Sequence, residues 1–219
     1  SRLRGNRPAN REKDLGIWLT WTWAEVAEEV KALACGPKKL GVEPEDKVSI
    51  CGDNRPHLYW SITAVQAIGA TPVPLYQDSV ADEMQYIYEH AEAKYAIVED
   101  QEQVDKLLTI RDQLPNLDFI IYEDARGLRD YEEHGLMSYE SARNQGLSFA
   151  DEKPNFVAEE IQKGSAGDLA VMLYTSGTTG KPKGVMLSYD NVIATSWSGI
   201  QHDNLNANEK VVAYMPMAW

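Results

Sequence analysis

The sequence is poor in cysteine and lacks a long apolar run. Its two cysteines, Cys35 and Cys51, are too few for a disulfide scaffold and do not have the spacing of metal ligands. We therefore expect reduced cysteines in a cytoplasmic protein. No segment approaches the roughly 20 apolar residues that a membrane-spanning helix needs, and the opening SRLRGNRPANREKD is unlike the apolar core of a signal peptide. These absences predict no transmembrane span and at most a peripheral contact with a membrane.

Basic residues are also few. The sequence has 21 Lys and Arg but 34 Asp and Glu, which gives a formal net charge of -13. An acidic surface repels nucleic acid at long range, so we expect no DNA or RNA partner. The 219 residues are enough for one large domain or two small ones, and a hydrophobic content of 43% is enough for a core. The chain opens without Met and stops on the apolar run VVAYMPMAW, which is typical of a strand inside a sheet. We therefore expect a piece of a longer protein that is cut within a domain.

Segments typical of helices and strands alternate from Trp21 onward. Thr22 and Glu25 have the spacing of a capping box and predict the start of a helix, which Gly36 and Pro37 should interrupt. Short runs rich in β-forming residues predict strands in KVSIC, YAIVE and LDFIIY, with helices between them.

Two further stretches have weaker patterns. The segment TPVPLY can be extended, but Pro72 and Pro74 each remove a ladder donor, so it belongs at a sheet edge or at a bend. Ser79 and Asp82 then predict the cap of a helix. Residues 123–167 are charged and contain several glycines, with one modest helical pattern, so we expect surface and connection there.

The apolar run LAVMLY, directly after Asp168, predicts a strand that is buried on both faces. Together these patterns predict an α/β fold, with a mostly parallel sheet, helices on both faces and sites at the carboxyl ends of the strands. We expect three parts: a peripheral arm at 1–20, an α/β region at 21–167 and a loop region at 168–219.

The stretch YTSGTTGKPKG, from Tyr174 to Gly184, follows that predicted strand. It does not match the common phosphate loop G-x-x-x-x-G-K-[ST], because Pro182 follows the Gly-Lys pair and the apolar run VML comes next. A helix is expected only after Ser188, which can serve as its cap. The predicted order is strand, loop, strand, and the loop is either a flexible linker or an anion-binding segment.

The composition of this loop favours anion binding. Its glycines let backbone N–H groups converge on an anion, while its hydroxyl groups and lysines add donors and positive charge to an otherwise acidic protein. The residues that supply these groups are Thr175, Ser176, Gly177, Thr178, Thr179, Gly180, Lys181 and Lys183. We therefore predict a site for a phosphate-bearing ligand.

The same stretch resembles the phosphate-loop signature of adenylate-forming enzymes, which include acyl-CoA synthetases, luciferases and peptide-synthetase adenylation domains. The segments TWAEVAEEVKAL, GVEPEDKVSICGDNRPHLYW and QAIGATPVPLYQDSVADEMQYIYEH are similar to long-chain fatty acid CoA ligases in particular. The resemblance implies part of the large amino-terminal domain of such a ligase, acting on a fatty acid, ATP and coenzyme A with Mg²⁺. In that family a carboxylate attacks the α-phosphate of ATP, pyrophosphate leaves, and the coenzyme A thiol displaces AMP.

By position in the signature, the resemblance implies that Thr175 to Gly180 cradle the nucleotide phosphates and that Lys183 is the terminal lysine. It implies catalytic roles for Thr175 and Lys183, with Thr175 also close to Mg²⁺. Lys181 has a variable place in the motif and is expected to be solvated. Trp219 stands where relatives often have a His, so it belongs either to the acyl pocket or to the core.

The four histidines have no carboxylate or Cys partner at ligand spacing, so surface or capping roles are expected for them. They are His57, His90, His134 and His202.

Two rival functions stay open at this point. One is an adenylate-forming ligase for an aryl, short-chain or amino acid, and the other is a nucleotide-binding module without ligase chemistry. The remaining catalytic segments of the family would lie beyond Trp219, so residues 1–219 alone are expected to be inactive. The oligomeric state is not encoded in any pattern of this sequence.

Overall fold

Strands and helices alternate through the computed structural model, which describes residues 4–175 and 181–218. The strands in this part of the chain are β1 (Pro8–Asp14), β2 (Ile17–Thr22), β3 (Lys47–Cys51), β4 (Thr71–Leu75), β5 (Ala93–Val98), β6 (Phe119–Tyr122), β7 (Leu136–Ser138), β8 (Leu169–Thr175) and β9 (Lys183–Ser188). The helices are α1 (Trp23–Lys39), α2 (Pro56–Ala67), α3 (Ala81–Ala91), α4 (Gln101–Thr109), α5 (Tyr139–Glu152), α6 (Phe156–Lys163) and α7 (Tyr189–His202).

A five-stranded parallel sheet, in the order β4-β3-β5-β6-β7, forms the centre of the fold. Two antiparallel hairpins, β1-β2 and β8-β9, accompany it. Strand β4 lies at one edge of the sheet, as Pro72 and Pro74 predict, because a proline cannot donate to a neighbouring strand. The predicted α/β class with a mostly parallel sheet is confirmed.

Helices cover both faces of this sheet, as predicted. Alternate strand residues such as Ile50 and Ile97 pack beneath α1, α2 and α5 in one core cluster. Their neighbours along the strands, such as Cys51 and Val98, pack beneath α3 and α4 in a second cluster. Successive side chains of a strand point to opposite faces, so a parallel strand with helices on both sides must be apolar at nearly every position.

Helix α1 does not stop at Gly36 and Pro37, and the prediction of an interruption there is wrong. The helix continues to Lys39, and the chain turns at Gly41, whose φ of 104° suits glycine. A Cβ on Gly36 would lie 2.5 Å from the carbonyl oxygen of Ala142 on α5. Close packing of α1 on α5 therefore stabilises the helix through two residues of poor helix propensity.

The start of α1 agrees with the predicted capping box. The Thr22 hydroxyl accepts a hydrogen bond from the backbone N–H of Glu25, and the Glu25 carboxylate accepts one from the backbone N–H of Thr22. We expect Thr22→Ala to lower the free energy of unfolding by about 1 kcal/mol, since a first-turn N–H loses its acceptor. Urea unfolding followed by circular dichroism measures this loss.

Thr63→Ala is the matched control for the cap, because Thr63 lies inside α2 and bonds only the carbonyl of Tyr59 in the preceding turn. Alanine has the higher propensity inside a helix, so this variant should be as stable as the unsubstituted protein or slightly more so. Equal losses in the two variants would contradict the assigned cap.

The predicted cap of α3 is wrong in detail. The residue that precedes the helix is Val80, which makes no side-chain capping hydrogen bond, while Ser79 is buried. Asp82 lies in the first turn, where a carboxylate is stabilised by the positive end of the helix dipole.

Residues 123–167 contain more structure than the sequence predicts. The strand β7 and the helix α6 were not expected, and α5 extends the modest pattern that the sequence shows. Helix α5 has a low apolar content because its contact with α1 is made through small residues, among them Ala142 and Gly146. Small residues carry little hydrophobic signal, which explains why the sequence pattern is weak.

Strand β8 is not buried on both faces, so that prediction is wrong. Ala170, Met172 and Tyr174 are buried, whereas the residues between them are partly exposed. Burial alternates because one face of the β8-β9 hairpin packs against the cluster beneath α3 and α4. The final apolar run also forms no strand within residues 203–218, and Val211 and Val212 are exposed there.

Candidate functional site

The predicted phosphate loop connects β8 to β9, and the order strand, loop, strand is confirmed. Thr175 ends β8 and is paired in register with Lys183, which begins β9. Both side chains are exposed at the loop end of the hairpin. The fold thus brings the two predicted catalytic residues face to face, with a hydroxyl on one strand and an ammonium group on the other.

The middle of the loop lies outside the described residues. Ser176, Gly177, Thr178, Thr179 and Gly180 were predicted to complete the phosphate cradle, and these roles stay predictions. Trp219, the predicted residue of the acyl pocket or core, also lies outside the described part of the chain.

Tyr174 is the buried residue of β8 that directly precedes Thr175 and the loop. A Cβ on Gly184, its partner across the hairpin, would lie 3.2 Å from the ring of Tyr174, so the tyrosine fills the space beside that glycine. Burial, with a smaller contribution from the nearby Tyr86, raises the pKa of Tyr174 to about 12. The Tyr174 hydroxyl therefore remains protonated at neutral pH and is available for hydrogen bonding.

Helix α3 supplies the partners of this hydroxyl and of the following strand. The Tyr174 hydroxyl lies 2.7 Å from Nδ1 of His90. The Tyr86 hydroxyl donates a hydrogen bond of 3.1 Å to the carbonyl oxygen of Pro182. Lys181 is exposed, as expected, but its Nζ atom lies 4.9 Å from the centre of the Tyr86 ring.

Charge at this end of the hairpin differs from that of the protein as a whole. Lys181 and Lys183 bring positive charge to a chain with a formal net charge of -13. The Thr175 hydroxyl adds a neutral group that can donate to an anion or contact a cation. Chemically, this set of groups can hold a polyanion.

The carboxyl ends of β3, β5 and β6 carry a second polar cluster that the sequence did not predict. The Arg55 guanidinium contacts Glu12 at 2.8 Å and Glu99 at 2.9 Å, and these hydrogen bonds raise its pKa. Glu99 also accepts a hydrogen bond of 2.6 Å from the backbone N–H of Asp53. These contacts pair the charges with one another and tie β1 to the sheet, so the cluster has a structural role.

His57 has a carboxylate partner after all, since its Nδ1 atom lies 3.1 Å from Oε1 of Glu123. This carboxylate is not at ligand spacing in the sequence, so the fold supplies a partner that the spacing could not indicate, and His90 has the Tyr174 hydroxyl as its partner. Both pairs join residues far apart in the sequence, where spacing gives no signal. The only local signal is that Tyr86 and His90 are four residues apart and share one face of α3.

Asn54 holds the chain that leads toward position 219. Its amide nitrogen donates hydrogen bonds to the carbonyl oxygens of Ala213 and Met215, at 3.3 and 2.9 Å. Its amide oxygen accepts a hydrogen bond of 2.9 Å from the hydroxyl of Tyr59. Residues 213–215 are thereby fixed beside the amino end of α2 although they form no strand.

Within residues 4–175 and 181–218, no group of three or more His, Cys, Asp or Glu side chains could hold a metal ion. No helix in these ranges is both long and apolar enough to cross a bilayer.

Relatives with curated names match nearly the whole chain. Long-chain-fatty-acid–CoA ligase ACSBG2 of Homo sapiens is 33% identical over 218 residues, which cover 98% of this chain and 32% of that protein. The ACSBG2 protein of Xenopus laevis is 32% identical over 221 residues, covering 98% of this chain and 29% of that protein. The chain thus spans about a third of the length of these relatives.

A solved structure and a family model agree with this result. The crystal structure of a Brucella canis acyl-CoA synthetase aligns with a TM-score of 0.74 at 18% identity, over 98% of this chain and 36% of the other. At that identity the likeness concerns the fold alone, and it agrees with the predicted fold class. The family model described as AMP-binding enzyme matches residues 2–219. Because this match covers all but the first residue, the chain belongs to the AMP-binding enzyme family.

Proposed function

We propose that this chain is the nucleotide-phosphate-binding part of an ATP-dependent fatty acyl-CoA ligase. The observation that carries the proposal is the register pair of Thr175 and Lys183, which places a hydroxyl and an ammonium group together at the end of a hairpin. Both residues belong to the stretch that resembles the phosphate-loop signature. Membership in the AMP-binding family supports ATP as the ligand.

In this proposal Lys183 and Thr175 bind the phosphates of ATP that depart as pyrophosphate. Negative charge grows on this group as the carboxylate attacks, so a fixed ammonium group stabilises the transition state more than the ground state. The five loop residues between Thr175 and Lys181 would add backbone and hydroxyl donors. Together these groups would hold the leaving phosphates in one geometry.

The described residues fit a Mg²⁺ ion that arrives with the nucleotide. Thr175 offers one exposed hydroxyl oxygen, an oxygen ligand of the type that Mg²⁺ prefers, and the phosphates would supply others. When bound, the ion would neutralise part of the phosphate charge. Thr175 is the residue of this chain that we propose to approach it.

The names of the two relatives support a long-chain fatty acid as the carboxylate and coenzyme A as the final acceptor. We propose the same substrates here. Cys35 and Cys51 are free and buried, which supports our proposal of a cytoplasmic protein. A peripheral contact with a membrane remains part of the proposal because the substrate is a lipid.

ATP–pyrophosphate exchange with the full-length protein that carries this chain tests the proposal. Radiolabelled pyrophosphate should enter ATP when a long-chain fatty acid is added, and coenzyme A should then yield the acyl-CoA. If exchange occurs only with an aryl, short-chain or amino acid, that acid is the substrate and the proposed long-chain fatty acid is wrong. ATP binding without exchange for any acid would favour a nucleotide-binding module. A protein that binds no ATP would be neither a ligase of this kind nor such a module.

A further inference from the structure

One face of α3 contacts both ends of the predicted phosphate loop. On the side of β8, His90 contacts the hydroxyl of Tyr174, the residue directly before Thr175, at 2.7 Å. On the side of β9, Tyr86 donates a hydrogen bond of 3.1 Å to the backbone carbonyl of Pro182, the residue directly before Lys183. Two side chains one helical turn apart thus hold the chain where it enters and where it leaves the loop.

The two α3 side chains also support each other. Their rings are stacked with centroids 5.5 Å apart and planes inclined by 30°. The Lys181 ammonium group lies 4.9 Å from the centre of the Tyr86 ring. A cation at this distance is attracted by the ring quadrupole, so Tyr86 contacts Lys181 as well as Pro182.

Helix α3 is a rigid base for these contacts. Its opposite face is buried in the core through Met84, Ile87, Tyr88 and Ala91. The buried Tyr88 hydroxyl also hydrogen-bonds to the hydroxyl of Ser49 in β3. Tyr86 and His90 therefore extend from a helix that is fixed to the central sheet.

We propose that Tyr86 and His90 are positioning residues, which hold the chain directly before Thr175 and Lys183 so that these two residues meet the ATP phosphates with less loss of conformational entropy. The proposal rests on the function proposed above and adds α3 to the site. A binding group whose neighbouring backbone is already held has less conformational freedom to lose when it contacts a ligand. The contacts of Tyr86 and His90 are with Pro182 and Tyr174, and in this proposal both residues act through them.

Three substitutions in the full-length protein test this role. Tyr86→Phe keeps the ring over Lys181 but removes the hydroxyl that bonds Pro182, and His90→Ala removes the contact with Tyr174. We expect each to raise the KM for ATP about three- to tenfold, the effect of one lost hydrogen bond, with the KM for the acid unchanged. His90→Asn places an amide near the position of Nδ1 and should restore part of the ATP affinity.

Hydrogen exchange without nucleotide measures the anchoring itself. The backbone amides within 181–184, which are those of Lys181, Lys183 and Gly184, should exchange about three- to tenfold faster in Tyr86→Phe and His90→Ala, because local opening costs one hydrogen bond less. Tyr131→Phe is the matched control, since its hydroxyl donates to Asp105 on α4 and its loss leaves the hairpin untouched. This control should keep both the exchange rate and the KM for ATP.

The two measurements separate the anchor from the proposed function. Unchanged exchange at 181–184 in both Tyr86→Phe and His90→Ala would overturn the anchor. Faster exchange with an unchanged KM for ATP would overturn the positioning role. Faster exchange in a protein that binds no ATP at all would support the anchor and count against the proposed ligase function.

Discussion

Replacing Lys183 by alanine is expected to slow ATP–pyrophosphate exchange by about a hundredfold, the typical cost of removing one preorganised group that stabilises developing charge. The Lys183 side chain is exposed at the loop end of the hairpin, in register with Thr175. In the proposed function it meets the charge that grows as pyrophosphate departs. The loss should therefore be larger in kcat than in the KM for ATP.

Two further variants make this result specific. Lys183→Arg keeps the positive charge and should retain part of the activity, although a guanidinium has a different shape from an ammonium group. Lys163→Ala removes an exposed lysine of α6 that pairs with Glu160, and it should leave exchange unchanged. Circular dichroism of Lys183→Ala should match the unsubstituted protein, because the side chain is exposed. Full exchange activity in Lys183→Ala would remove the main support for the proposed phosphate contact.

The parts of the fold that could be predicted are those with local signals. The run KVSIC forms β3, Pro72 and Pro74 place β4 at the sheet edge, and Ser188 caps α7 with its hydroxyl. The strand, loop, strand order around Thr175 was likewise readable, because an apolar run flanks the loop on each side. In each case neighbouring residues determine the local conformation.

Partners that are distant in the sequence could not be predicted in this way. His57 meets Glu123, and His90 meets Tyr174, only after the sheet has brought their elements together. The sequence therefore predicts the position of the loop, but it does not predict the contacts that α3 makes beside it. Only the three-dimensional structure shows that Tyr86 and His90 support the loop, because neither residue belongs to a recognisable motif.

The errors in α1 and α5 have a single physical cause. Gly36 and Pro37 suggested a break, and the glycine-containing region after residue 123 suggested a connection. In the structure α1 and α5 pack so closely that a Cβ on Gly146 would lie 1.9 Å from the carbonyl oxygen of Ala32. The glycines allow the two helix backbones to touch, and sequence patterns based on propensity count the same residues as helix breakers.

Gly146→Ala is therefore expected to lower the free energy of unfolding by about 2–3 kcal/mol. The added methyl group would also lie 2.7 Å from the backbone nitrogen of Gly36. Both contacts are with backbone atoms, so no side chain can rotate away and the helices must separate. Urea unfolding followed by circular dichroism should show a lower midpoint with an unchanged slope.

Gly199→Ala is the matched control for this substitution, because Gly199 lies in α7 and a Cβ there would meet nothing within 4 Å. Alanine loses less backbone entropy than glycine on folding into a helix, so this variant should gain about 0.5–1 kcal/mol. The same chemical change is thus expected to have opposite signs at two helical glycines. A stabilised Gly146→Ala would mean that α1 and α5 can separate at little cost, and the close backbone contact would then not explain why α1 continues through Pro37.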